Sequence, residues 1–285
     1  MERWRQRGER LQALGRSIHV FRRDGEEPVL LFLHGFPSSS YDWRALLELD
    51  RRRAALAFDF LGFGLSDKPP DHTYSLSWQA DLVAELLGRF AAERPVFLIA
   101  HDMGTSVATE LMARELEGEQ SSVVGALLFN GSIVLERAKP TLGQKLLRSR
   151  AGPLAARLTN ERFFHRQFAS LFSPVHPLTA EEAADQWALL AHEAGHRIGH
   201  RLIYYMRERE LHRERWHGAF AHWPKPLELA WGLRDPVAVP AVLKALRALR
   251  PQAPVSELPG VGHYPQIEVP QDLAGVVSRA LERLD

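Results

Sequence analysis

The sequence predicts an α/β protein: a mostly parallel central sheet flanked by helices, with an inserted helical cap. Three observations predict it. Short apolar runs alternate with longer amphipathic stretches, the pattern of βαβ units on a parallel sheet. That rhythm breaks between about Ile133 and Pro224, where helical periodicity continues without a convincing strand. Finally, several polar residues suited to chemistry fall just after predicted strands, where ligands bind in open α/β sheets.

In chain order, strands are predicted over Ser17 to Arg22 and Val29 to His34, which read as the first pair, then Ala54 to Asp59, Val96 to His101, Val123 to Asn130, Leu227 to Trp231 and Val255 to Leu258. Helical periodicity covers Tyr41 to Leu49, Ser75 to Ala92, Thr105 to Glu115, Val239 to Leu249 and Val269 to Leu284. The expected division is a core of residues 1–132 and 225–285, with residues 133–224 as a cap roofing the pocket.

With 285 residues, 45% hydrophobic and 25% charged, the chain can bury a sizeable core. Its formal net charge of +1 provides no long-range attraction to nucleic acid or an anionic membrane, so a small neutral ligand is expected, with no nucleic-acid or membrane partner. No cysteine is present, which excludes disulfides, thiolate metal sites and a cysteine nucleophile. Without an apolar run of signal-peptide or membrane-span character, the expectation is a cytoplasmic monomer or homodimer.

The apolar run Val96 to His101 leads directly into Asp102, Met103, Gly104 and Thr105 and then an amphipathic helix. A nucleophile at such a strand-turn-helix elbow needs small neighbours, supplied here by Ala100, Gly104 and Thr105. The helix N-terminus favours a carboxylate at that point; read alone, Asp102 is equally an ordinary helix N-cap. Upstream, His34-Gly35-Phe36-Pro37 follows a strand, where a loop could give a backbone N–H to an oxyanion hole. Phe36 and Met103 are the expected N–H donors.

Asp235, after the strand Leu227 to Trp231 and before Pro236, is the expected triad acid. His263, on the Gly-rich loop Gly260-Val261-Gly262, is the expected base. The chain order of nucleophile, acid and histidine is that of the α/β hydrolases.

A larger set of residues resembles the epoxide hydrolase branch of the α/β-hydrolase superfamily, and within it the mesoderm-specific transcript proteins. It comprises His34-Gly35-Phe36-Pro37-Ser38-Ser39-Ser40-Tyr41-Asp42-Trp43, Asp59-Phe60-Leu61-Gly62-Phe63-Gly64 with Ser66-Asp67-Lys68-Pro69, His101-Asp102-x-Gly104, Phe129-Asn130-Gly131 and His263-Tyr264-Pro265-Gln266. Tyr204-Tyr205 and Trp216 extend the likeness to the far end of the cap. The resemblance implies the α/β-hydrolase fold and hydrolysis of a small hydrophobic epoxide, with no cofactor and no metal.

It also implies a tyrosine donor from the cap, for which Tyr205 has the expected separation from Asp235. Tyr204, His34, His165 and Trp187 are expected substrate contacts. The chain departs from the family pattern in having no tyrosine between Tyr74 and Tyr204, where a second donor is usual; His165 is a substitute to consider. Haloalkane dehalogenation uses the same aspartate chemistry, but the tryptophan that resembled dehalogenases place after the nucleophile is Met103 here. Another α/β-fold hydrolase activity and a non-catalytic binding protein on the same scaffold are the remaining alternatives.

One motif points elsewhere. His192-Glu193-Ala194-Gly195-His196, with His200 beyond, matches a zinc-protease pattern that needs both histidines on one helical face. Gly195 and Gly199 weaken a helix there, so the expectation is chance occurrence.

Overall fold

The structure, a computed structural model, describes residues 1–131 and 133–284; the expected domain ends at Ser132 and Asp285 lie outside them. Eight strands form one sheet: β1 (Glu9–Ala13), β2 (Arg16–Arg23), β3 (Glu26–Leu33), β4 (Arg53–Phe58), β5 (Val96–His101), β6 (Val123–Phe129), β7 (Leu227–Gly232) and β8 (Val255–Leu258). Their order is β1-β2-β4-β3-β5-β6-β7-β8. From β4 to β8 every neighbouring pair is parallel.

The first two strands differ from expectation. β2 pairs antiparallel with β1 and β4, while β3 lies between β4 and β5, so the predicted first pair is not adjacent. Glu9–Ala13 carries the sequence ERLQA and is mostly exposed, so a sheet-edge strand of this kind has no apolar signal. Leu14 and Gly15, both at positive φ (49° and 72°), turn it tightly into β2.

The central strands are apolar throughout because both faces are covered. Leu31 and Leu33 of β3 and Leu98 and Ala100 of β5 join one core cluster; Leu30, Phe32, Phe97 and Ile99 join the other. On the first face pack α3 (Leu76–Phe90), α4 (Met103–Leu116) and α12 (Pro240–Leu249), whereas α2 (Arg44–Leu49) and α14 (Pro270–Glu282) cover the second. Two short helices, α1 (Glu2–Arg7) and α13 (Pro265–Glu268), complete the set around the sheet.

Between β6 and β7 the described residues form no strand. They fold into α5 (Leu142–Arg148), α6 (Gly152–Leu158), α7 (Glu161–Ala169), α8 (Ala180–Ala191), α9 (Gly199–Leu202), α10 (Tyr205–Leu211) and α11 (Arg213–His222). Thr141, Asn160 and Thr179 start three of these by accepting the backbone N–H three residues on. The last helix leaves the roof: Trp216, Ala219 and Phe220 of α11 lie in the main core, and Trp216 Nε1 donates to Glu110 of α4 at 2.8 Å.

Gly104 marks where the elbow presses on the neighbouring strand. A Cβ there would lie 2.2 Å from the Leu33 carbonyl oxygen and 2.7 Å from that of His34. Because backbone must move to admit it, Gly104→Ala is expected to cost at least about 2 kcal/mol. A urea denaturation midpoint equal to wild type would contradict this packing.

Candidate active site

Asp102 occupies the turn between β5 and α4 with φ 44° and ψ −111°, a conformation an L-residue holds only when its surroundings impose it, at about 1–3 kcal/mol. They do so through its carbonyl, which accepts from Thr105 N–H (3.2 Å), Thr105 Oγ1 (2.6 Å) and Arg209 Nη2 (3.0 Å). Although Asp102 precedes the helix, its side chain makes no capping bond. The carboxylate turns back instead, and Oδ2 accepts the Phe36 N–H at 2.9 Å. Gly35 permits this approach, since a Cβ there would come within 2.6 Å of Asp102 Cβ.

Each partner of that carboxylate is held from behind. His34 Nδ1 bonds the Gly35 carbonyl at 2.9 Å and its Nε2 accepts Phe60 N–H at 3.0 Å, an arrangement that fits a neutral ring. Burial lowers the His34 pKa accordingly. In the Asp59 to Asp67 loop, Asp59 receives Ser40 N–H and Oγ on one oxygen and Leu65 N–H on the other. Gly64 is needed there, at φ 50° with the Asp59 carboxylate against it. These motif residues shape the loops around the site.

On the other side, His263 Nδ1 lies 2.7 Å from Asp235 Oδ2. Asp235 is fully occupied: Oδ1 accepts Val237 and Ala238 N–H at 2.7 and 2.9 Å, and Oδ2 also accepts Asn130 Nδ2 at 2.7 Å. Burial alone would push the His263 pKa down, but the charge and hydrogen bond of Asp235, with the Asp102 charge, hold it above the usual imidazole value. His101 contacts the same loop, its Nε2 2.7 Å from the His263 carbonyl and its Nδ1 3.1 Å from Gln266 Nε2. Desolvation sets the His101 pKa well below 6.5, so the neutral ring serves as a strut.

A cavity of about 110 Å³ opens above Phe36 and His263, between the strand ends and α5 to α9. Its walls are largely apolar, with Phe163, Phe164, Phe168 and Leu171 among them, and Gln144, Gln167 and His196 supply polar groups. Tyr205 is buried, its ring 5.8 Å from Phe36, and Gln144 Nε2 approaches its hydroxyl at 3.4 Å. Burial and the Asp102 charge raise the Tyr205 pKa, so it stays a proton-bearing phenol.

Several expected contacts lie elsewhere. His34 is wholly buried beneath the loop; Tyr204, 42% exposed, lies at the surface; and His165 sits 3.7 Å from Glu161 outside the cavity lining. Trp187 packs behind the wall, 5.7 Å from Phe164 and 5.5 Å from His196. Met103 opens α4, and its buried side chain is in the main core. The His192 to His196 segment is kinked, with Glu193 and Ala194 at φ 49° and 58°, so the two histidines do not share a helical face. No cluster of three or more metal-ligating side chains occurs among the described residues.

Arg209, Asn130, Gln144 and His196 were not expected at the site. Arg209 is buried, with Nε on Ser106 Oγ at 2.8 Å, Nη2 3.9 Å from Asp102 Oδ1 and its guanidinium 4.6 Å from the Tyr205 ring centre. Nothing distinguishes it in sequence from the many other arginines between β6 and β7. Gln144 did carry a signal: Thr141-x-x-Gln144 is a capping box, in which Oε1 accepts Thr141 N–H at 2.8 Å and leaves Nε2 as the outward group.

An acid at the strained elbow, an imidazole and a second acid in that chain order, beneath helices inserted in a parallel sheet, define the α/β-hydrolase class. The sequence pattern of the alpha/beta hydrolase family matches residues 30–276, and the chain belongs to that family. A protein named as a hydrolase, LipZ of Mycobacterium tuberculosis, is 51% identical over 272 residues, covering 95% of this chain and 94% of its own length. The mouse mesoderm-specific transcript protein is 35% identical over 269 residues, covering 90% and 80% respectively. The crystal structure of Cfl2 from Burkholderia cenocepacia shares the fold, with a TM-score of 0.82 at 19% identity over 95% of this chain and 94% of that one.

The His263 contacts generate a direct test. An NMR titration should find its imidazole above the ordinary value in wild type and at a lower value in Asp235→Asn, which removes the charge that raises it. An unchanged value in the variant would contradict the assigned cause.

Proposed function

We propose that this hydrolase converts an epoxide to a vicinal diol through an alkyl ester on Asp102. The observation that carries the reading is a carboxylate at the elbow with an oxygen already on the Phe36 N–H. A carboxylate nucleophile suits an electrophilic sp3 carbon, whereas acyl transfer suits a hydroxyl or thiol.

In the first step an Asp102 oxygen forms a bond to an epoxide carbon as the ring C–O bond breaks. The departing oxygen takes a hydrogen bond and then the proton from Tyr205, with the Gln144 amide beside it as a second donor. This supplies from α5 what the missing second tyrosine would have given. In the second step neutral His263 takes a proton from water, which attacks the Asp102 carbonyl carbon. Charge on that carbonyl oxygen is met by the Phe36 N–H, with the Met103 N–H as its proposed partner, a kind of contact worth about 10²–10³ in rate. The tetrahedral species collapses by releasing the diol oxygen, which takes the proton held by His263; the carboxyl group left on Asp102 then gives up its proton, which returns to the Tyr205 oxygen and restores both groups. Asp235, itself held by Asn130, orients the imidazole and favours its charged form.

The cavity accounts for ligand class. A mostly apolar lining with few polar groups fits a small hydrophobic epoxide, with α5 to α9 acting as the cap that excludes water. Dehalogenation fits less well: Met103 follows Asp102 where the resembled dehalogenases place a tryptophan, and among the described residues no tryptophan lines the cavity.

Styrene-type, terpene and aliphatic epoxides, assayed for diol, should reveal a substrate. Asp102→Ala should abolish turnover, and His263→Ala should slow ester hydrolysis about 10²–10⁴-fold. Mass spectrometry of the latter should find a substrate-sized adduct on the Asp102 peptide. Tyr205→Phe should instead slow adduct formation. Halide release from alkyl halides without diol formation from any epoxide would overturn the assignment.

A further inference from the structure

The helices at the rim of the cavity hold large apolar side chains in water. Leu142 and Leu146 of α5 are 70% and 41% exposed, Leu154 and Leu158 of α6 are 60% and 66%, and Phe163 of α7 is 37%. Both leucine pairs are spaced by four residues, so each forms a stripe along one helix face. Leu146 of α5, Ala155 of α6 and Phe163 of α7 also line the cavity, so the three helices that carry these exposed side chains form part of its wall. Exposed apolar surface grouped in this way marks an interaction site.

Charge is concentrated on the same segment. Between residues 136 and 166 there are eight basic side chains and two acidic ones, all ten exposed. Arg148 pairs with Glu210 at 2.8 Å. Arg137, Lys139, Lys145, Arg150, Arg157, Arg162 and Arg166 have no acidic partner within 4.0 Å among the described residues. The net charge of +1 conceals this asymmetry, because the rest of the chain is acidic.

We propose that the face formed by α5, α6 and α7 docks on an anionic lipid surface, which brings the cavity mouth against the bilayer so that an apolar ligand enters from it. Leucine stripes flanked by unpaired arginine and lysine match an interface of acyl chains beneath anionic headgroups. A second copy of this chain fits poorly, since an isologous contact would set the cationic face against itself. Attachment would be peripheral, as no helix among the described residues is long and apolar enough to cross a membrane.

Vesicle co-sedimentation tests the proposal independently of any reaction. The purified protein should sediment with phosphatidylcholine vesicles containing phosphatidylglycerol, remain in solution with phosphatidylcholine alone, and be released by molar salt. L154S/L158S and R157Q/R162Q alter exposed side chains outside the cavity lining, so their thermal midpoints should match wild type. Each should weaken vesicle binding roughly tenfold or more. The proposal is overturned if wild type ignores both kinds of vesicle, or if both folded variants bind them as tightly as wild type. It is equally overturned if L154S/L158S dissolves a dimer and leaves vesicle binding unchanged, which would assign the face to a second copy.

Discussion

The site depends on a strained backbone held in place at Asp102. Its positive φ turns the carboxylate away from the helix it precedes and towards the Phe36 N–H, and three donors on its carbonyl maintain that turn. Two glycines make the arrangement sterically possible: Gly35 beside the carboxylate and Gly104 beneath the strand carbonyls. A relaxed Asp102 would use its side chain to cap α4, leaving its oxygens satisfied and pointing along the helix axis. Strain therefore keeps Asp102 out of the capping role that its position before α4 would otherwise give it.

The second side of the site meets a different requirement, a buried imidazole held against a carboxylate. Asp235 has both oxygens saturated by Val237, Ala238, Asn130 and His263, so its only orientation is the one that serves the ring. His101 and Gln266 support the His263 backbone from below, and burial keeps His101 neutral. Two adjacent histidines thus have opposite electrostatic characters, because one faces a carboxylate and the other a carbonyl and an amide. Arg209 adds a fixed cation near Asp102, which lowers the cost of burying its carboxylate.

The sequence made most of the sheet and the strand-end positions of Asp102, Asp235 and His263 legible because both follow local rules. Val96 to His101 is continuously apolar, and Asp102, Asp235 and His263 each follow a strand end. What stayed hidden depended on three-dimensional contacts. The edge strand Glu9–Ala13 buries little and so has no pattern, and the β3 and β4 crossover is set by packing rather than by neighbouring residues. His34 belongs to a persuasive motif, yet it serves Gly35 and Phe60 rather than the cavity. His165 and Trp187 are on the right helices but the wrong faces, while His196 reaches the cavity because a kink at Glu193 and Ala194 redirects it. Net charge hides local detail in the same way: a total of +1 does not show that residues 136–166 carry eight basic side chains against two acidic ones.

Single-turnover isotope transfer examines the covalent step most directly. With enzyme in excess over an epoxide substrate in ¹⁸O-water, the account predicts that the first diol released carries an unlabelled oxygen from Asp102, while the peptide containing Asp102 gains ¹⁸O. Label in that first diol, with the Asp102 peptide unchanged, would mean that water attacks the epoxide itself and that no ester forms.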